Sequence, residues 1–159
     1  MTSTPMAVPE SSPRPAAKIP SGASLERLVI LYGRTALGVA FLSGIADRFG
    51  LYWGRNVGYG NFAGFEAYTA KVNSFMPAST IPFLAWAATA AEFLFGVALI
   101  FGLWTRWVAL ASAGLLVLFG VAMAISFGIK SPLDYSVFSA SAAAVMIYVF
   151  ETRKQGAQS

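Results

Sequence analysis

Neither cysteine nor histidine occurs among the 159 residues. Their absence excludes disulfides, thiol redox chemistry, cysteine-held iron–sulfur clusters, histidine-ligated haem, and most zinc and copper sites. Any redox chemistry must therefore be borrowed from a partner or a diffusible cofactor, and no metal site is expected. Charge is scarce too: 11% of the residues are charged against 57% hydrophobic. The mean hydropathy of +0.64 lies well above that of a soluble domain of this size. The chain therefore reads as an integral membrane protein with the lipid bilayer as its first partner. A net charge of +4 raises the question of nucleic acid, but basic residues scattered between apolar runs are what the positive-inside bias produces, so nucleic acid is set aside. No phosphate loop, nucleophile elbow or metal-ligand cluster occurs, and no residue is identifiable as catalytic.

What is present is a succession of long apolar runs. Residues 1–24 hold five of the eight prolines and few large apolar side chains, and are expected to be a disordered polar tail. They lack the apolar core of a cleavable signal, so the first apolar run is expected to stay in the mature protein. That run spans 25–46; others follow at 81–104, 107–127 and 133–150. Each is close to the roughly 20 residues that cross a bilayer as a helix. The polar pair Thr105-Arg106 is expected to form a tight turn between the second and third runs, and 151–159 a polar C-terminal tail. Between the first two runs, a Gly- and aromatic-rich loop with Trp53, Gly54, Gly58, Tyr59 and Gly60 precedes Phe62, Phe65, Tyr68 or Thr69, Val72, Phe75 and Met76 at helical spacing. The period predicts an amphipathic surface helix over 62–76, ended by Pro77; the alternative is an extramembrane loop. The expected fold is an all-α integral membrane protein, a four-transmembrane-helix bundle with this extra helix between the first and second spans.

Four crossings put both termini on one side. That side carries Arg14, Lys18, Arg27, Arg106, Arg153 and Lys154, against Arg48, Arg55, Lys71 and Lys130 on the other, which predicts cytoplasmic termini. Trp53, Trp86, Trp104, Trp107, Tyr32, Tyr135 and Tyr148 fall mostly near span ends, where amphipathic rings favour the headgroup zone.

Two charges lie deep inside the runs, Arg34 in the first and Glu92 in the second. An ionised group near the bilayer centre costs at least about 2.5–3.5 kcal/mol, so both should face the bundle interior. Counted from the inner ends of antiparallel spans, their depths differ by about 4–5 Å, which predicts an Arg34–Glu92 pair. Such a pair serves either as part of a polar pocket for a quinone headgroup, an anion or a proton path, or as an interhelical clasp with no ligand. Tyr32 and Thr35 lie close enough along the helix to extend it. A second polar group, Asp47, Arg48, Lys130, Asp134 and Tyr135, collects at the outer span ends. There it could line a pocket mouth under the surface helix, with Asp134 pairing Arg48 or Lys130, or form an ordinary solvated face. Small residues within the spans, including Gly33, Gly38, Gly44, Gly96, Gly102, Ala109, Ala113, Gly114, Ala140 and Ala144, suit close helix packing and disfavour a wide aqueous pore.

Three segments, GRTALGVAFLSG (33–44), AEFLFGVALIFGLWTR (91–106) and PLDYSVF (132–138), occur in an order that resembles the DoxX family of small bacterial membrane proteins, which includes DoxD-like thiosulfate:quinone oxidoreductase subunits. The likeness covers about residues 25–150. It implies a four-helix bundle in the bacterial cytoplasmic (inner) membrane, with Arg34 and Glu92 at recurrent intramembrane polar positions. For DoxD-like members it also implies electron delivery from a sulfur compound to quinone. The chain departs from the simplest family pattern at 47–49, where DRF replaces a frequent lysine.

Three functions are consistent with these features. The first is a quinone-linked subunit of a membrane oxidoreductase system, with no covalently bound cofactor and a membrane or extracytoplasmic redox partner. The second is a non-catalytic accessory or scaffold that recruits a partner. The third, small-solute or proton transport, would use the same polar pair but lacks inverted-repeat signals. A homo-oligomer is compatible with all three.

Overall fold

The computed structural model describes residues 22–51 and 58–156; the expected tail over 1–21, the loop residues Trp53 and Gly54, and positions 157–159 lie outside the described residues. Six α-helices follow in order: α1 (Gly22–Arg48), α2 (Phe62–Val72), α3 (Ile81–Phe101), α4 (Thr105–Phe127), α5 (Lys130–Asp134) and α6 (Val137–Gly156), with a 3₁₀ turn at Ala78–Thr80 leading into α3. No strand occurs among the described residues. Three stretches are long and apolar enough to cross a membrane: Ser24–Arg48, Ala78–Phe101 and Thr105–Phe127. The helix α6 is not among them, because its last turns carry Glu151, Arg153 and Lys154.

The long helices form a ring in which α1 packs on α3, α3 on α4, α4 on α6 and α6 back on α1. Ile30, Leu37, Phe41, Leu99, Ala109, Ala113, Ala144 and Ile147 make the central core. The small residues let backbones approach. A Cβ at Gly38 would lie 2.8 Å from the Gly96 carbonyl oxygen, and one at Gly120 would lie 2.7 Å from the Phe138 ring. Ser141 donates across the α4–α6 interface to the Ala113 carbonyl at 3.0 Å. Outward faces are apolar at Phe83, Phe93, Leu94, Leu118 and Ile125, as lipid contact requires.

Several boundaries differ from the sequence expectation. The first helix begins at Gly22, inside the expected tail, and runs to Arg48. The second apolar run ends at Phe101 rather than Trp104. Gly102 adopts φ +72° there, Leu103 N–H donates to the Ala98 carbonyl and Gly102 N–H to that of Leu99, a glycine-closed helix end. Thr105 and Arg106 therefore belong to the first turn of α4, and the tight turn is Gly102–Leu103–Trp104. The run expected from Leu133 is broken at Ser136, whose φ is +54°, so Leu133 and Asp134 fall in the short α5. The expected polar C-terminal tail is helical as far as Gly156.

The helix α2 is present but stops at Val72, not at Pro77. The Asn73 amide side chain donates to the Thr69 carbonyl at 3.0 Å, alongside its own backbone N–H at 2.9 Å, and its backbone leaves the helical region. At the other end Asn61 caps the helix, its Oδ1 accepting from Gly64 N–H at 2.8 Å. Phe65, Thr69 and Val72 are buried, and Ser126 Oγ of α4 donates to the Val72 carbonyl at 2.6 Å, so α2 closes the end of the bundle opposite the termini. Asn61→Ala is expected to loosen α2 by about 1 kcal/mol, measured as faster amide exchange confined to residues 62–72.

Candidate functional site

Arg48 ends α1 on the same helix face as Gly44, one turn earlier, and is only 4% exposed. Thr89 and Glu92, three residues apart on α3, present their polar atoms to it. One guanidinium nitrogen, Nη2, donates to both Glu92 carboxylate oxygens at 2.8 Å, and Nη1 donates to Thr89 Oγ1 at 3.0 Å. Thr89 in turn donates to the Ala85 carbonyl at 2.8 Å. The Phe65 ring of α2 covers the guanidinium, its centroid 3.7 Å from Cζ. Three helices thus meet on one buried ion pair, which leaves Arg48 Nε as a buried donor without a partner.

Asp47, next to Arg48, faces the returning loop. Its carboxylate accepts from Gly58 N–H at 3.0 and 3.1 Å and from Tyr59 N–H at 3.0 Å. This holds the Tyr59 ring edge-on to Phe65 at 5.1 Å and beside Tyr68 at 5.3 Å. Burial, reinforced by Tyr68, pushes the Tyr59 phenol up to about 12, so it remains a protonated donor at physiological pH. Tyr68 is raised as well, by burial and then by Tyr135. On the outer side, Phe62 and Trp86 pack at 4.3 Å with Phe49 at 5.7 Å from Phe62, and both Phe49 and Trp86 are about half exposed.

The expected Arg34–Glu92 pair does not form. The expectation holds only for antiparallel helices that end level, whereas the Gly38–Gly96 approach sets their register and leaves the start of α1 projecting beyond the end of α3. Arg34 accordingly lies beside Ile100 and Gly102, donating from Nη2 to the Ile100 carbonyl at 3.3 Å. Glu92 lies beside Gly44 instead, ten residues or about 15 Å further along α1. Tyr32 is largely exposed and joins no cluster there.

The outer polar group also divides. Asp47 and Arg48 join the site above, whereas Lys130 and Asp134 pair with each other across one turn of α5 at 2.6 Å, with both side chains more than half exposed. Such a pair contributes a few tenths of a kcal/mol. Tyr135 is exposed beside them. The sequence reading missed Thr89, Tyr59 and Phe65. The signal for Thr89 was its position one turn before Glu92, on the same face of an otherwise apolar run.

The DoxX family model matches residues 29–126, well over half the chain. The chain belongs to the DoxX family. Its apolar helices make it a multi-pass membrane protein. The DoxX match takes in Arg34, Arg48, Tyr59, Thr89 and Glu92 and stops before Lys130, Asp134 and Tyr135, so the buried site lies within the family region and the exposed pair outside it. No curated protein and no solved structure matches this DoxX chain.

Proposed function

We propose that the protein is a quinone-linked subunit of a membrane oxidoreductase system in the bacterial inner membrane. In this reading α6 makes a fourth crossing, the termini are cytoplasmic, and α2 lies at the opposite membrane surface. The observation that carries it is the buried Arg48–Glu92 pair at a span end, roofed by aromatic rings, with Arg48 Nε unsatisfied and a protonated Tyr59 phenol nearby. A quinone carbonyl oxygen accepts from such donors, and its ring is suited to the half-exposed faces of Phe49 and Trp86 with Phe62 packed between them. A separate redox partner would exchange electrons with that quinone, since this chain has no cysteine or histidine to build a thiol centre or the usual metal centres.

A second reading, an accessory or scaffold protein whose pair is only a clasp, is favoured by one detail: both Glu92 oxygens and the Thr89 hydroxyl already have partners. Thermal unfolding of the detergent-purified protein with and without ubiquinone and menaquinone analogues separates the two. A quinone site predicts a ligand-dependent rise in Tm that Tyr59→Phe and Glu92→Gln both lose, since a ligand bound only to the folded state stabilises it. No shift in the wild type, with Glu92→Gln simply melting earlier, would leave the clasp.

A further inference from the structure

At the other end of α1, 14 residues or about 21 Å from Arg48, the part of the helix that projects past α3 runs beside the last turns of α6. A cavity of about 330 Å³ opens between them, lined by Glu26, Arg27 and Arg34 of α1 and by Glu151 and Lys154 of α6. Its size falls at the lower end of the roughly 300–1,000 Å³ that small-molecule sites occupy. The ion pairs among the described residues are Arg48–Glu92 and Lys130–Asp134, so three cations and two carboxylates face this cavity with no opposite charge within ion-pair distance. Arg34 is built into the wall. Its guanidinium sits where a Cβ on Gly102 would come within 2.5 Å of Nη1, and one nitrogen is tied to the Ile100 carbonyl. Its Nε is buried without a partner. Unpaired charges of both signs around one opening call for a ligand that carries both signs.

We propose that this cavity holds the zwitterionic phosphodiester headgroup of a membrane phospholipid, with Arg27, Arg34 and Lys154 on the phosphate and Glu26 and Glu151 on a primary amine. Arginine and lysine are the usual partners of phosphate oxygens. The two carboxylates repel a free phosphate dianion but suit an ammonium group. Ile30 and Leu31 complete the lining, and Leu31 is half exposed on the outer flank with Leu28 one turn before it, a path along which acyl chains can lie. A lipid held there would fill the gap that the projecting α1 leaves beside α6. The assignment does not depend on the quinone reading.

The test is thermal unfolding of the delipidated, full-length protein in detergent, titrated separately with phosphatidylethanolamine, phosphatidylglycerol and inorganic phosphate. Phosphatidylethanolamine is expected to raise Tm by about 5 °C near saturation, phosphatidylglycerol by less, and inorganic phosphate not at all. Arg27 and Lys154 are exposed, so Arg27→Gln/Lys154→Gln should keep the lipid-free Tm yet lose the lipid-dependent rise. Glu26→Gln/Glu151→Gln should erase the preference for the amine-bearing lipid. A rise that survives the Arg27/Lys154 double variant would overturn the site. Equal responses to the two lipids would overturn the amine assignment, and an equal response to inorganic phosphate would overturn the lipid as its source.

Discussion

Arg48→Met is expected to destabilise the protein by about 3–5 kcal/mol, because it leaves the Glu92 carboxylate buried with neither of its hydrogen bonds. The guanidinium is the sole donor to either oxygen of Glu92 among the described residues, and at 4% exposure water cannot take its place. Placement in a membrane sharpens the penalty, since charge next to hydrocarbon has no other solvent. The double variant Arg48→Met/Glu92→Leu should recover most of the loss. It removes both desolvation costs and keeps apolar volume under Phe65, the situation in which replacing a buried ion pair is often neutral or stabilising. Denaturant titration in mixed micelles of wild type, both single variants and the double variant gives the coupling directly. A loss under about 1 kcal/mol for Arg48→Met would place the pair in a hydrated setting, where exposed ion pairs are worth that little.

This pair also marks where the sequence stopped being informative. Hydropathy located the apolar runs and marked Glu92 as a charge that needed a partner, and both statements depend only on local composition. The identity of the partner depends on how far one helix is slid along another, and that is set by side-chain volume at the crossing. Arg48 falls just past the apolar run that fades at Ala46, yet the helix continues for two more residues and buries it. Gly102 read as one more small packing residue, whereas its positive φ closes α3 and clears space for Arg34. The end of α2 lies where the Asn73 backbone leaves the helical region and its side chain joins its own N–H on the Thr69 carbonyl, while the period of Phe75 and Met76 points past it. In each case the missing information was a conformation or a register, not a residue type.

Gly38→Leu is expected to have the second large effect, acting through that register. A Cβ at position 38 would stand 2.7 Å from Ile100 Cγ1 and 2.8 Å from the Gly96 carbonyl oxygen. The second neighbour is backbone and cannot turn aside, so α1 and α3 must separate or slide. Overpacking of this kind costs about 1–3 kcal/mol where side chains can yield; Gly38→Ala should fall in that range and Gly38→Leu above it. The same displacement would carry Arg48 away from Glu92, because both lie on the helices being parted. The Leu variant should therefore lose part of the Arg48–Glu92 coupling that the double-variant cycle reads, which a purely local clash would leave intact. Gly114 is the control. It sits in the interior of α4, and a Cβ there meets nothing within 4 Å, so Gly114→Ala should be neutral or stabilising by up to about 1 kcal/mol from helix propensity. Equal losses for Gly38→Ala and Gly114→Ala would mean that the α1–α3 crossing is looser than a glycine-to-glycine contact, and the register that pairs Arg48 with Glu92 would need another cause.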